Sequence, residues 1–385
     1  MLQEQTAKKV KSRLRAQKLL RQIGITSLIL LLGLLVTLYV LNQMGVLNAW
    51  QLPLKDIVVF LGSGGIACLL MGWGWKIRQK QWLLRAVVIA FIIINAIAYI
   101  SAYNSTHFSS PGRFSLGFPR PNNSQTPTDI GLEYITHRIP IAPTEWLETW
   151  LIPAQSFSSR GTVVLFPGNG GSKGNHLLAP AKVFNHLNYD TLLVDFRGVG
   201  GSSGNTTTIG FREGKDVAVV VNYAEKLNLK SPIVLYGVSM GTAAILKAIA
   251  QEKIAPDAII LELPFTRLLN AVKSRLRGGI FPSFPTAELL VFWGSIQQGF
   301  NGFAHNPVTY AKQVNCPTLI LQGKQDKWIT MTEIDELLQN LQGAKQLVVF
   351  PTAGHELLVT VDQEHWQQSI VSFLASTPQA QKYSQ

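Results

Sequence analysis

Three residue types in one order set the chemistry to look for. Gly237-Val238-Ser239-Met240-Gly241 places a serine between two glycines, directly after the apolar run 233–236 and before an alanine-rich stretch that starts at Thr242. A strand, a sharp turn and a helix in that succession lift a serine hydroxyl out of the chain in a strained conformation, and glycines beside it keep neighbouring strands from colliding with the turn. The helix start adds partial positive charge that favours a developing anion. A serine alone is a poor nucleophile; it needs a base, and a third group to orient the base. Asp326, in Gly323-Lys324-Gln325-Asp326, follows the apolar run 318–321, and His355, in Ala353-Gly354-His355-Glu356, follows 346–350. Serine, acid and histidine thus come in the order this turn demands, each just past the end of an apolar run.

Other residues compete for the same roles. Six further histidines are present: His107 and His137 precede the main series of strands, His176 and His186 fall on or near a helix, His305 lies in an insertion and His365 in the last helix. Glu262, at the end of the run 258–263, is the rival acid. Asp195 precedes the serine and opens Asp195-Phe196-Arg197-Gly198, where it is expected to brace its own turn through Arg197. An anionic tetrahedral intermediate needs two backbone donors. Met240 N–H is one candidate and Asn169, in Phe166-Pro167-Gly168-Asn169-Gly170-Gly171, the other; Gly168, Gly237 and Gly241 support these turns. That glycine-rich loop has neither a Gly-Lys-Ser/Thr ending nor dinucleotide spacing, which argues against a phosphate cradle. Cys68 and Cys316 imply no disulfide framework, and Cys316 reads as a small buried hydrophobe.

The elements that must position these groups begin near residue 131. Runs at 134–141 and 146–152 read as a hairpin, and continuously apolar runs follow at 162–166, 191–195, 233–236, 258–263, 318–321 and 346–350. Continuous rather than alternating apolarity marks parallel strands covered on both faces. Helical stretches fall between them at 176–187, 211–227, 242–251, 331–340 and 363–375, which specifies a doubly wound, mostly parallel α/β sheet over 131–376. Reactive groups in such sheets gather beyond the carboxyl ends of the strands.

The formal charge of +12 is unevenly spread: residues 1–100 hold 12 Lys/Arg and only Glu4 and Asp56, leaving +2 for the rest. The C-terminal portion therefore offers no basic nucleic-acid surface. The basic stretch 1–23 instead precedes three apolar runs, at 24–42, 56–75 and 86–102, each near the length that crosses a bilayer. An all-α transmembrane region of about three helices is expected, and the lipid bilayer is the expected partner. Lys8 to Arg21 and Lys76 to Arg85 flank the spans so as to place the N-terminus in the cytoplasm and everything after residue 102 outside. Residues 103–130, rich in Ser, Asn, Pro and Thr, read as an exposed linker, and 377–385 as a tail.

Taken together, Pro167 to Gly171, Asp195 to Gly200, Gly237 to Gly241, Glu262-Leu263-Pro264-Phe265-Thr266, Cys316 to Gly323 with Asp326, and Gly354-His355 resemble the α/β-hydrolase superfamily over about 130–375. The likeness is to its membrane-anchored Bem46-like branch and to related lipase-like or serine-aminopeptidase-like hydrolases. One departure is Pro167, where the family usually has histidine before the loop glycine. The resemblance implies a Ser239–His355–Asp326 triad acting on an acyl ester through an acyl-enzyme, with no cofactor and no metal. A thioesterase, a peptidase or a catalytically silent binding protein remain open on the same fold. The insertion 268–315 carries Phe284, Leu289, Leu290, Phe292, Trp293 and other large apolar residues. They read either as a lid over an acyl or lipid substrate or as ordinary packing between cap helices.

Overall fold

The computed structural model describes residues 81–109, 117–156, 158–279 and 282–377. Eight strands form one sheet: β1 (Ile135–Ala142), β2 (Glu145–Ile152), β3 (Thr162–Phe166), β4 (Asp190–Val194), β5 (Ile233–Val238), β6 (Ala258–Glu262), β7 (Thr318–Gly323) and β8 (Lys345–Phe350). Their spatial order is β1-β2-β4-β3-β5-β6-β7-β8. The opening hairpin β1–β2 is antiparallel, as is the β2–β4 pairing, and every other pair is parallel. The doubly wound reading holds. Strands β3 and β6 are buried along their whole length, which is why their sequences are continuously apolar instead of alternating.

Crossover helices α2 (Leu178–His186), α3 (Glu213–Lys226), α4 (Met240–Lys247), α7 (Met331–Asn340) and α8 (Gln363–Ser376) link or close the parallel strands. On one side of the sheet, Phe184, Tyr236 and Trp366 meet edge to face, with ring centroids 5.5–6.0 Å apart. Such pairs add about 0.5–1.5 kcal/mol each to the area they bury. This cluster lies behind β5 and so backs the strand that ends at Ser239.

The spans expected at 24–42 and 56–75 lie outside the described residues. The third is part of a longer helix, α1 (Gln81–Thr106), whose segment Ala86–Thr106 is, among the described residues, the one helix long and apolar enough to cross a membrane. Ile89, Phe91, Ile92, Ile93, Ile94 and Ile97 are all exposed on it. Its other side packs on the insertion. Helices α5 (Leu268–Leu276) and α6 (Ser283–Gln298) form the cap; Trp293 of α6 donates Nε1–H to Asn95 Oδ1 at 3.2 Å and stacks edgewise on Tyr99, while Gln297 donates to the Tyr99 carbonyl. Of the two readings of the apolar insertion, packing accounts for Trp293, and its partner is α1.

In its described part the expected linker keeps many exposed residues, but it starts later than expected and is tied to the domain. Helix α1 runs on to Thr106, and 117–130 docks on the domain rather than hanging free. The Arg120 guanidinium is caged by the carbonyls of Gly200, Ser202 and Gly204, and Asn123 reaches into a buried charge cluster. A segment rich in Asn and Pro holds this course because its own side chains supply the hydrogen bonds that a strand ladder would otherwise provide.

Candidate active site

Ser239 occupies the junction of β5 and α4 with φ 48° and ψ −105°, a region that costs a non-glycine residue of order 1–3 kcal/mol. Surrounding contacts hold it there. Its amide donates to the Glu262 carbonyl at 2.8 Å, and a Cβ added at Gly241 would lie 2.6 Å from the Phe166 carbonyl oxygen. A Cβ at Gly237 would meet the Gly241 carbonyl carbon at 2.7 Å. These two glycines are therefore required by close approach of the β3 loop and of the turn itself. Gly168 differs: a Cβ there would be in ordinary contact, 3.6 Å from Ser239 Cβ.

The three residues predicted from order and spacing come together. Ser239 Oγ lies 3.1 Å from His355 Nε2, and His355 Nδ1 lies 2.7 Å from Asp326 Oδ2. Because Asp326 accepts from Nδ1–H, the Nε2 lone pair faces the serine hydroxyl. Asp326 also accepts from the Trp328 and Ile329 amides at 2.8 and 3.0 Å and from Gln322 Nε2 at 3.1 Å. Burial pushes its carboxyl up, but the hydrogen bond and charge of His355 and the two amides outweigh that and leave it below its ordinary value.

The rival carboxylate is occupied elsewhere. Glu262 is buried at the end of β6 and accepts from Tyr236 Oη, Trp366 Nε1 and the Leu358 amide, each at 2.8 Å. Burial raises its carboxyl in spite of these donors. Through Leu358 it fixes the loop that carries His355, without bonding the imidazole.

Met240, first in α4, and Asn169, exposed in the loop after β3, lie in the two segments that meet at Gly241. Besides Asp195, that loop is held by residues the sequence did not single out. Lys173 is buried and pairs with Asp195 Oδ2 and with Glu148 Oε1 at 3.0 Å, its ammonium 4.3 Å from the centre of the Trp150 ring. Asp195 Oδ1 accepts the Lys173 amide, and Oδ2 accepts from Asn123 Nδ2 and the Gly201 amide. Asn123 Oδ1 in turn accepts the Gly174 amide, and Ser172 Oγ donates to the Asn122 carbonyl. The expectation that Asp195 braces its turn holds through Gly201, but its cationic partner is Lys173; Arg197 pairs with Asp216 at 2.8 Å. The reason is direction: Asp195 is buried among backbone amides beside Lys173, whereas the half-buried Arg197 turns to the buried Asp216 on α3.

His176 lies where expected, in the helical turn Lys173–Leu177 that leads into α2. Its ring packs on the β3 loop so closely that a Cβ at Gly171 would come within 2.0 Å of Nδ1, and that nitrogen has no hydrogen-bond partner among the described residues. Burial lowers the His176 pKa. The other histidines lie apart from Ser239: His305 is buried against Ile209 and Tyr310, and His137 meets Tyr223. Cys316 is half-buried, and burial pushes its thiol up to about 12, far from the reactive thiolate range.

A model of the alpha/beta hydrolase family matches residues 163–368, from the second residue of β3 into α8. The chain belongs to that family. Its relatives include the uncharacterized protein YqkD of Bacillus subtilis, 27% identical over 195 residues that cover 50% of this chain and 64% of YqkD. The lysophosphatidylserine lipase ABHD12 of Mus musculus is 27% identical over 183 residues, 44% of this chain and 42% of that protein. This chain thus spans less than two thirds of the length of either. Protein bem46 of Schizosaccharomyces pombe is 25% identical over 288 residues, 74% of this chain and 90% of bem46. Among solved structures, the Pyrococcus furiosus esterase Pf2001 superposes with a TM-score of 0.56 at 21% identity, covering 67% of this chain and 97% of the esterase, a likeness of fold. The α/β-hydrolase sheet places the ends of β5, β7 and β8 on one rim, where Ser239, Asp326 and His355 stand.

Proposed function

We propose that this α/β-hydrolase is a membrane-anchored serine hydrolase that cleaves an acyl ester. The observation that carries the reading is the continuous line from Ser239 Oγ through His355 to Asp326 on a strained strand-to-helix turn. His355 Nε2 takes the Oγ proton as the oxygen attacks the acyl carbon, and the Met240 and Asn169 amides receive the resulting oxyanion. The bond to the leaving alcohol then breaks, and the same Nε2 returns the proton to that oxygen. A water molecule attacks the acyl-enzyme, again giving its proton to Nε2, and Ser239 is released with its proton restored. Asp326 remains a carboxylate throughout, holding the imidazole tautomer and stabilising the imidazolium.

Two observations favour a bilayer-associated acyl ester over a soluble amide. The exposed isoleucine face of α1 suits hydrocarbon better than water, and the cap packs on that helix. The relatives named as esterase and lysophosphatidylserine lipase point the same way. With the N-terminus cytoplasmic, the catalytic domain lies on the outer side.

Fluorophosphonate labelling of membranes that contain the protein tests the reading. Labelling lost in Ser239→Ala is expected; a wild-type chain that resists the probe would make the hydrolase-like domain a binding module. Protease added to sealed spheroplasts should digest the domain, and its protection would invert the topology. Hydrolysis of short peptides in preference to graded acyl esters would replace esterase by peptidase.

A further inference from the structure

Beside His355 lies an arrangement that the proton transfers do not use. Trp328 is partly exposed, and its indole lies against the imidazole with ring centroids 4.9 Å apart. The Arg275 guanidinium, from cap helix α5, sits 4.5 Å from the centre of the same indole. Arginine, indole and imidazole thus form one chain of contacts from the cap to the base, the guanidinium over the indole face and the imidazole tilted 55° to it.

Arg275 differs from Lys273, the other cation of α5, and from Arg267, the residue just before it. Lys273 is paired with Glu288 at 2.7 Å, and Arg267 with Glu336 through both of its terminal nitrogens. Arg275 has no carboxylate within ion-pair distance among the described residues; Nη1 donates to the Ala271 carbonyl at 3.0 Å, and stacking engages only the face of the group. The remaining N–H edge is free to form a fork. Asp326 is the acid whose field reaches it, but that carboxylate is held by His355 Nδ1 and two backbone amides. Lys324 and Lys327 are exposed on the same loop, likewise without a carboxylate partner among the described residues. Glu356 is the opposing charge, and its Oε1 accepts the Gly354 amide. The rim beside the base is therefore net positive.

The direction of the chemistry says which part of a substrate would lie there. In the serine-hydrolase reading, on which this inference rests, His355 Nε2 hands its proton to the departing alcohol, while the acyl oxygen turns toward Met240 and Asn169. Groups flanking the imidazole meet the alcohol rather than the acyl chain. We propose that Trp328 and Arg275 form a leaving-group subsite, and that the preferred ester carries an anion, a carboxylate or a phosphate, on its alcohol portion. A guanidinium fork matches the two oxygens of either anion, and the indole excludes water from one side of it.

Matched esters that differ only in that charge test the assignment. The purified full-length protein in detergent is given butyryloxyacetate against butyryloxyacetamide, and monoethyl succinate as the case in which the anion sits on the acyl side. A second arm uses 1-acylglycerol-3-phosphate against 1-acylglycerol of the same chain in mixed micelles. The anionic-alcohol member is expected to show about tenfold higher kcat/KM, mostly through KM, the size expected of one charge-assisted contact. Monoethyl succinate should show no such gain. In Arg275→Gln the ratio should collapse towards one, and Arg275→Lys should restore part of it. A ratio confined to the micellar pair assigns the anion to a lipid headgroup; a ratio in both arms assigns it to the anion itself. Hydrolysis without charge preference, or a preference that survives Arg275→Gln, overturns the subsite while leaving the hydrolase reading intact. Failure to hydrolyse any of these esters, with no fluorophosphonate labelling, overturns both.

Discussion

On one side of Ser239 the loop 167–176 is anchored by the buried charges Lys173 and Asp195, with the half-buried Glu148 on the other side of Lys173 and Asn123 closing the cluster. On the other side the loops that carry Asp326 and His355 are anchored by single acceptors taking several neutral donors, Glu262 under one and Asp326 itself in the other. The two forms of support fail differently. A buried ion pair that loses one member leaves an uncompensated charge, whereas a carboxylate that loses one of three donors is only weakened. The oxyanion side is thus the brittle side, and the base side is graded.

The largest effects should separate the two buried carboxylates of the base side. Asp326→Asn is expected to lower kcat by about 10³–10⁴-fold, because the amide favours the wrong imidazole tautomer. Glu262→Gln, one strand over, should cost less than about tenfold in rate and about 1–3 kcal/mol in stability. Equal losses of rate would make Glu262 part of the relay and erase the division of labour between them. On the brittle side, Asp195→Asn should destabilise the fold by about 3–5 kcal/mol in denaturant titrations. Replacing the whole pair, as Lys173→Met with Asp195→Leu, should recover part of that loss, since desolvation of both ions is then avoided. No recovery would show that the backbone amides, not the ion pair, carry the anchoring.

His305 sharpens the comparison as a buried base kept neutral, donating from Nε2 to the Ile209 carbonyl beside the start of α4. Burial pushes its pKa down from 6.5 to about 4. Its folded value lies below its unfolded one, so its contribution is complete above pH 6.5. It drains as pH falls towards 4, because the unfolded chain binds a proton that the folded chain refuses. Stability measured from pH 7 to 4 should fall by about 3 kcal/mol more in wild type than in His305→Gln. Parallel curves would place the acid sensitivity elsewhere. The smallest effect is Asn123→Ala, expected to cost about 1–2 kcal/mol and to lower kcat more than it changes KM. A change confined to KM would mean that Asn123 supports substrate binding rather than the loop.

The sequence carried the base side and the sheet almost completely, and the brittle side hardly at all. Ser239, Asp326 and His355 each follow a continuously apolar strand, so topology alone converges them, and local turn chemistry around Ser239 is written in Gly237 and Gly241. Lys173 stands in a glycine- and serine-rich loop, where a lysine ordinarily reads as solvated; only the fold reveals that β2 and β4 bring Glu148 and Asp195 beside it. Asn123 sits in a low-complexity stretch with no periodicity to place it. Trp328 was more accessible, since an aromatic two residues after the acid, in a run of charged residues, has few reasons to be there other than contact. The apolar insertion stayed ambiguous because a cap helix packed on α1 and a lid over substrate call for the same side chains.

The docked course of residues 117–130 bears on where the protein can be cut. The sheet begins at Ile135, and a soluble enzyme designed from the strand pattern would naturally start at about residue 131. Such a truncation would strip Asp195 and the Gly174 amide of Asn123 and empty the carbonyl cage around Arg120. Its inactivity would then say nothing about the need for a bilayer. A start at Gly117 keeps these contacts and removes α1, so comparing the two lengths separates the demands of α1 from those of residues 117–130.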